Sequence, residues 1–172
     1  MSPEPASNLT AELSETRRIL HDCLAGISED EAARKPEPSR WSVLDCVEHL
    51  ALTERGLAGR VMAAQPAEPL PPDPAREAHA TAVVRRSLRV EAPPHVQPTG
   101  RFATLAHALE AFDAARRDTI AFVLDHHGDL IRRTIRHPLF GPLNGEEALL
   151  VLCGHIRRHA DQICEIRAAH TP

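Results

Sequence analysis

The sequence predicts an all-α protein folded as a four-helix bundle, and three observations carry that expectation. Four long segments repeat their apolar residues at helical spacing. Aromatic residues make up 3% of the chain, with one Trp and no Tyr, so the core must be built from Leu, Val, Ile and Ala. No stretch reads convincingly as a strand, and one long proline-rich passage, residues 66–98, separates the second long helix from the third. The 172 residues suit one domain, spanning 1–172, and suffice to bury a core.

The first long helix is expected from about Leu9 to Leu24, with Leu9, Leu13, Ile19, Leu20, Cys23 and Leu24 on its apolar side. A short piece follows, Ser28 to Arg34. Its Ser28 and Glu31 have the spacing of a capping box, and Pro36 and Pro38 stop the chain after it. The second long helix starts at the N-cap Ser42, with Asp45 placed to reach back and Trp41 positioned to fold onto Cys46 or Val47. Val43, Val47, Leu50, Leu57 and Val61 carry it to about Ala64.

Eight of the 15 prolines fall within residues 66–98, which predicts a long surface crossover with one short helix around Ala75 to Val84. The third long helix spans about Thr104 to His126, lined by Leu105, Leu109, Phe112, Ile120 and Val123. Gly128 is expected to end it in a left-handed cap. A rigid connector, His137 to Leu143, leads to the N-cap Asn144 of the fourth helix. Glu146 and Glu147 complement the dipole in its first turn, and it runs to about Ala169.

Composition removes several classes. The net charge is −4 with no strongly basic stretch, so no nucleic-acid partner is expected. No window approaches ~18 uninterrupted apolar residues, which excludes a membrane-spanning helix. Residues 1–8 have neither a basic start nor an apolar run, unlike a signal peptide. The four cysteines, Cys23, Cys46, Cys153 and Cys164, lack zinc-type pairing and read as reduced thiols, so the expected location is cytoplasmic.

The chemistry lies in the 11 histidines. His155 and His159 are four apart on one helical face, in a stripe with Leu152, Ile163 and Ile166. Two imidazoles in an apolar stripe are costly unless something satisfies them, and the i, i+4 spacing lets both rings reach one ion. A pair binds weakly, and His49 is the best third candidate, at the boundary of the second helix's apolar side. His126 and His127 suit a helix C-terminus, His137 a connector, His107 reads as pointing to solvent, and His21, His79, His95 and His170 have no partner at ligand spacing. Cys46, one turn from His49, is the rival ligand but reads more naturally as core, as does Cys153.

Two blocks of the chain resemble a known family. The run Trp41-Ser42-Val43-Leu44-Asp45-Cys46-Val47-Glu48-His49-Leu50 is similar to the motif W-S-x-x-E-x-x-x-H-L of the DinB/YfiT-like superfamily. His137-Pro138-Leu139-Phe140-Gly141-Pro142-Leu143, followed by His155 to His159 and Gln162-Ile163, resembles its second block. The resemblance implies an up-down-down-up four-helix bundle and a metal site on His49, His155 and His159. It also implies a thiol-dependent transferase or isomerase activity, although many members have none assigned. Two positions depart from the pattern. Asp45 replaces the usual Glu and still caps a helix. Ala148 replaces a frequent aromatic and leaves more room.

Three neutral nitrogens leave a divalent ion (Zn, Ni, Fe or Mn) its full charge and an open position. The expected function is a metal-dependent enzyme that activates a low-molecular-weight thiol, of S-transferase or isomerase type. The alternatives are a non-catalytic, metal-bound, stress-related binding protein and a metal-dependent hydrolase. No catalytic base is evident: Glu48, Asp45 and Asp161 read as caps, solvated groups or partners of the ligands. The expected partners are a small-molecule substrate, such as a low-molecular-weight thiol, and a second copy of the chain as a homodimer.

Overall fold

The long helices begin where the sequence supplies acceptors for their first backbone N–H groups. The computed structural model describes residues 5–71, 73–76, 78 and 91–170. Helix α1 spans Pro5–Leu24 and the short α2 spans Glu29–Ala33. Helix α3 spans Val43–Ala63, and its capping box is complete: Asp45 N donates to Ser42 Oγ (3.1 Å) and Ser42 N to the Asp45 carboxylate (2.9 Å). Helix α4 spans Leu105–His126. Besides Thr104, its start is held by Glu29 of α2, whose carboxylate accepts from Leu105 N (2.6 Å) and Ala106 N (3.0 Å). A carboxylate at that positive helix end ties the short helix to a distant one. Helix α5 spans Gly145–His170, with Asn144 and Glu147 capping each other across 2.9 and 3.0 Å.

The bundle is all-α in its architecture, as expected. Helix α3 packs against α4 and α5, and α1 packs against the same two. The long helices that follow one another in the chain, α1 and α3, therefore sit across a diagonal, as do α4 and α5. Two apolar clusters fill the interior. One, around Leu20, Val47, Leu50, Phe112 and Ile163, lies at the end that carries the histidines. The other gathers Leu13, Val61, Val123, Leu130, Leu143 and Leu152. Ala148 is fully buried in this second cluster, so the small side chain there is a matter of core packing. No helix among the described residues is long and apolar enough to cross a membrane.

The structure corrects two local expectations. The connector forms a hairpin: β1 (Ile135–His137) pairs antiparallel with β2 (Gly141–Leu143), in the register Ile135 with Leu143 and His137 with Gly141. Strands of three residues are too short to show an alternating pattern, and the positive φ of Gly141 (71°) makes the turn. Gly128 is not a left-handed cap. The chain leaves α4 through a 3₁₀ turn, His127–Arg132, which buries Leu130, and the glycines with positive φ are Gly26, Gly100 and Gly141. Of the proline-rich passage, the start docks on that turn through Ala67 N to Arg132 O and Leu70 N to Ile131 O (both 2.9 Å). Residues 74–76 and 78 are helical, while the rest of the expected helix at Ala75 to Val84 lies outside the described residues.

Gly145 starts α5 under steric pressure. A Cβ there would lie 2.9 Å from the Leu130 carbonyl oxygen and 3.1 Å from Val61 Cγ1. A backbone oxygen cannot rotate away, so Gly145→Ala is expected to destabilise the fold by about 1–3 kcal/mol in denaturant unfolding. A loss below about 0.5 kcal/mol would show that the helix start shifts freely.

Candidate metal centre

Helix α3 carries His49 one turn beyond its capping box, and α5 carries His155 and His159 one turn apart. Because these helices are neighbours, the three rings meet. His155 Nε2 lies 3.1 Å from His49 Nε2 and 3.1 Å from His159 Nε2, and the three ring nitrogens lie within 4.8 Å of one another. Among the described residues no Cys, Asp or Glu joins this group. His49 and His159 are buried, and His155 is half-buried.

The orientation of His49 follows from hydrogen bonding. Its Nδ1 is 2.7 Å from the carbonyl oxygen of Val96, in the 3₁₀ turn Pro94–Val96. A carbonyl can only accept, so Nδ1 carries the proton and Nε2 keeps a lone pair aimed at the cluster. The neighbouring Glu48 holds that turn's continuation in place. Its buried carboxylate accepts from Thr99 N (2.8 Å) and Arg101 N (3.1 Å). The cap pair Ser42 and Asp45 sets the start of the helix, and Trp41 just before it covers the cluster. Its ring stacks on His159 (centroids 6.0 Å apart, 17° between planes) and tilts over His49 (4.9 Å).

Burial favours the neutral form of two of these rings, His49 and His155. Burial lowers the pKa of His49 below its ordinary value of 6.5, only partly offset by the Val96 hydrogen bond. His155 is pushed well below that value, first by loss of hydration and then by His159 and His49 beside it. The unfolded chain therefore takes up protons first as the pH falls. The stability these rings contribute to metal-free protein is complete above about pH 6.5 and is lost below it as the pH approaches the folded-state values. The denaturant midpoint of metal-free protein should drop between about pH 7.5 and pH 5.5, and less so in His155→Asn. A profile unchanged by that substitution would contradict the neutral cluster.

The donor set fits a divalent ion. Two nitrogens bound at ~2.0–2.1 Å in tetrahedral geometry sit ~3.3 Å apart, near the two 3.1 Å separations found. Imidazole nitrogen suits Zn, Ni and Fe in particular.

The other histidines are placed elsewhere. His21 bonds Asp113, whose carboxyl Arg17 and His21 hold below its usual range against the opposing effect of burial. His126 reaches the carbonyl of Phe122, and His137 lies in the hairpin stacked on Phe140. His95, His107 and His127 are exposed, and His79 lies outside the described residues. Cys46 is buried in the apolar cluster at this end, and Cys153 in the other. The sequence marks Trp41 as a helix-start contact and as the first motif residue, with nothing to place its ring over the histidines, and it carries no signal for the Val96 carbonyl, which is 47 residues from His49.

A sequence profile of the DinB superfamily matches residues 12–163. No curated protein matches the chain. Among solved structures, the fold resembles YfiT from Bacillus subtilis, described as a probable metal-dependent hydrolase with an unusual four-helix bundle topology. The two are 17% identical, with a TM-score of 0.61 over 98% of this chain and 89% of YfiT.

Proposed function

The chain belongs to the DinB superfamily, and from that premise we propose that it is a metal-dependent enzyme acting on a low-molecular-weight thiol, by S-transfer or isomerisation. One divalent ion would be held by His49, His155 and His159. The observation that supports this reading most is the convergence of three imidazole nitrogens from two helices, one of them fixed by a carbonyl on its far side. Bound there, the ion supplies Lewis acidity that lowers the pKa of a thiol or a water in its open position. The chain's own residues do the rest. Val96 and Glu48 orient His49, Trp41 shields the buried side from water, and the small molecule enters beside the half-buried His155.

The state of the carboxylates favours a thiol over water. Asp45 is engaged with Ser42 N and Lys35, and both oxygens of Glu48 accept backbone N–H groups. Neither can serve as a base without giving up those bonds. A thiol with an ordinary pKa of ~8.5 needs far less help to ionise than water at ~15.7. Hydrolysis remains a second reading, favoured by the likeness to YfiT and its description.

The test starts with metal analysis of protein purified without a nickel column, because 11 histidines can scavenge nickel. About one ion per chain is expected. Metal-loaded and metal-free protein are then assayed with a panel of thiols paired with electrophiles, and with hydrolysable esters and amides. Metal-dependent thiol consumption supports the proposal. Metal-dependent hydrolysis without it would replace the reading with a hydrolase, and no turnover at all would leave a metal-binding protein.

A further inference from the structure

The sequence reading took all four cysteines as unpaired reduced thiols, but the fold places two of them together. Cys23, near the end of α1, and Cys164, on α5, are 141 residues apart in the chain, yet their Sγ atoms lie 3.4 Å from each other. They are not joined. Cys164 is exposed and Cys23 half-buried, whereas Cys46 and Cys153 are fully buried. An S–S bond is ~2.05 Å long, so the sulfurs need to close by only ~1.4 Å. The helices that carry them pack along each other, and Arg167 of α5 also bonds the Cys23 carbonyl (2.5 Å).

We propose that Cys23 and Cys164 form a thiol–disulfide exchange site that reacts with low-molecular-weight disulfides and, once oxidised, staples α1 to α5. The inference rests on the cysteine pair and stands apart from the metal reading. Exposure assigns the order of events. Burial, and after it the adjacent Cys164 thiol, push the Cys23 thiol up to about 12, so Cys23 waits protonated while Cys164 meets the reagent. The Cys164 thiolate attacks one sulfur of the small disulfide. A mixed disulfide forms, and the old S–S electron pair leaves on one small thiolate, which takes up the proton Cys164 gave up. With Cys164 capped, its upward push on the Cys23 thiol is gone; Cys23 gives up its proton to solvent, its thiolate attacks the Cys164 sulfur, and the second small thiolate leaves and takes up a proton in turn. In sum, two protein thiols are oxidised to one disulfide, and one small disulfide is reduced to two thiols.

The experiment treats the reduced full-length protein with glutathione disulfide and reads intact mass, thiol count after denaturation, and disulfide-linked peptides. The expected product has lost two hydrogens, keeps two of its four thiols, and yields a linked peptide pair containing Cys23 and Cys164. Its melting temperature should rise by about 5–10 °C over the reduced form, because the bond closes a very long loop. Cys23→Ser should stop at a stable glutathione adduct on Cys164, and Cys164→Ser should remain unmodified. Cys164 is exposed and Cys23 packs only at the edge of the apolar cluster, and a circular dichroism spectrum of each variant checks that the helices are retained. A stable adduct on Cys164 in the unsubstituted chain, retention of all four thiols, or a bond between two chains would overturn the proposal. An unchanged melting temperature in the oxidised protein would overturn the staple.

Discussion

His159→Ala will retain less than about a tenth of the metal bound by the unsubstituted protein, whereas Cys46→Ser will retain nearly all of it. Losing a partner that merely orients a ligand costs ~10–100-fold in affinity, so losing a ligand should cost more. His155 and His49 would remain, 3.1 Å apart, but two nitrogens from two helices make a weak site. Alanine is at home in the middle of α5, so the helix itself should persist. Cys46 lies a turn before His49, but its side chain is fully buried in the apolar cluster and is absent from the converging group. The check is elemental analysis of both variants, with circular dichroism to confirm the fold. Metal lost in Cys46→Ser with an intact helical spectrum would mean a closed four-ligand site, which is characteristic of structural rather than catalytic zinc.

The second large effect lies in the bundle's interior, away from the histidines. Glu54→Ala should destabilise the protein by about 3–5 kcal/mol, and thus lower its melting temperature by about 10 °C or more. Glu54 and Arg116 are both fully buried and meet through two parallel hydrogen bonds of 2.8 Å. The guanidinium also donates to the Leu13 carbonyl (2.7 Å) and Thr16 Oγ1 (2.9 Å), and Thr119 Oγ1 donates to Glu54 (3.1 Å). This polar layer joins α1, α3 and α4 between the two apolar clusters. Without the carboxylate, a permanently charged guanidinium is left in the core with neutral partners only. Replacing both partners, as in Glu54→Leu with Arg116→Met, should cost far less than the single substitution, because no charge is then stranded. Urea unfolding of the three variants decides the matter. A single-variant loss below about 1 kcal/mol would show that the layer opens to water.

What the sequence determined by itself is what short-range chemistry controls. A helix needs an apolar stripe and an acceptor for its first N–H groups, and both are written within a few residues of each other. Ser42 with Asp45, Ser28 with Glu31, and Asn144 at the last helix therefore read correctly, and so did the helices they start. The i, i+4 spacing of His155 and His159 is local in the same sense, and the place of His49 at the edge of its helix's apolar side made it the third candidate, in agreement with the motif resemblance. The hairpin was missed because three-residue strands carry no period, and the 3₁₀ exit from α4 because a turn that buries Leu130 overrode the preference of Gly128.

Everything that joins positions far apart in the chain was left to the tertiary structure. The diagonal placement of α1 and α3 brings His49 against α5. That same arrangement puts Glu54 against Arg116, 62 residues away, and Cys23 against Cys164. A buried glutamate or a second thiol has no periodic signature of its own. Its partner is chosen by which helix faces meet, and that choice belongs to the packing of the whole bundle rather than to any single stretch of sequence.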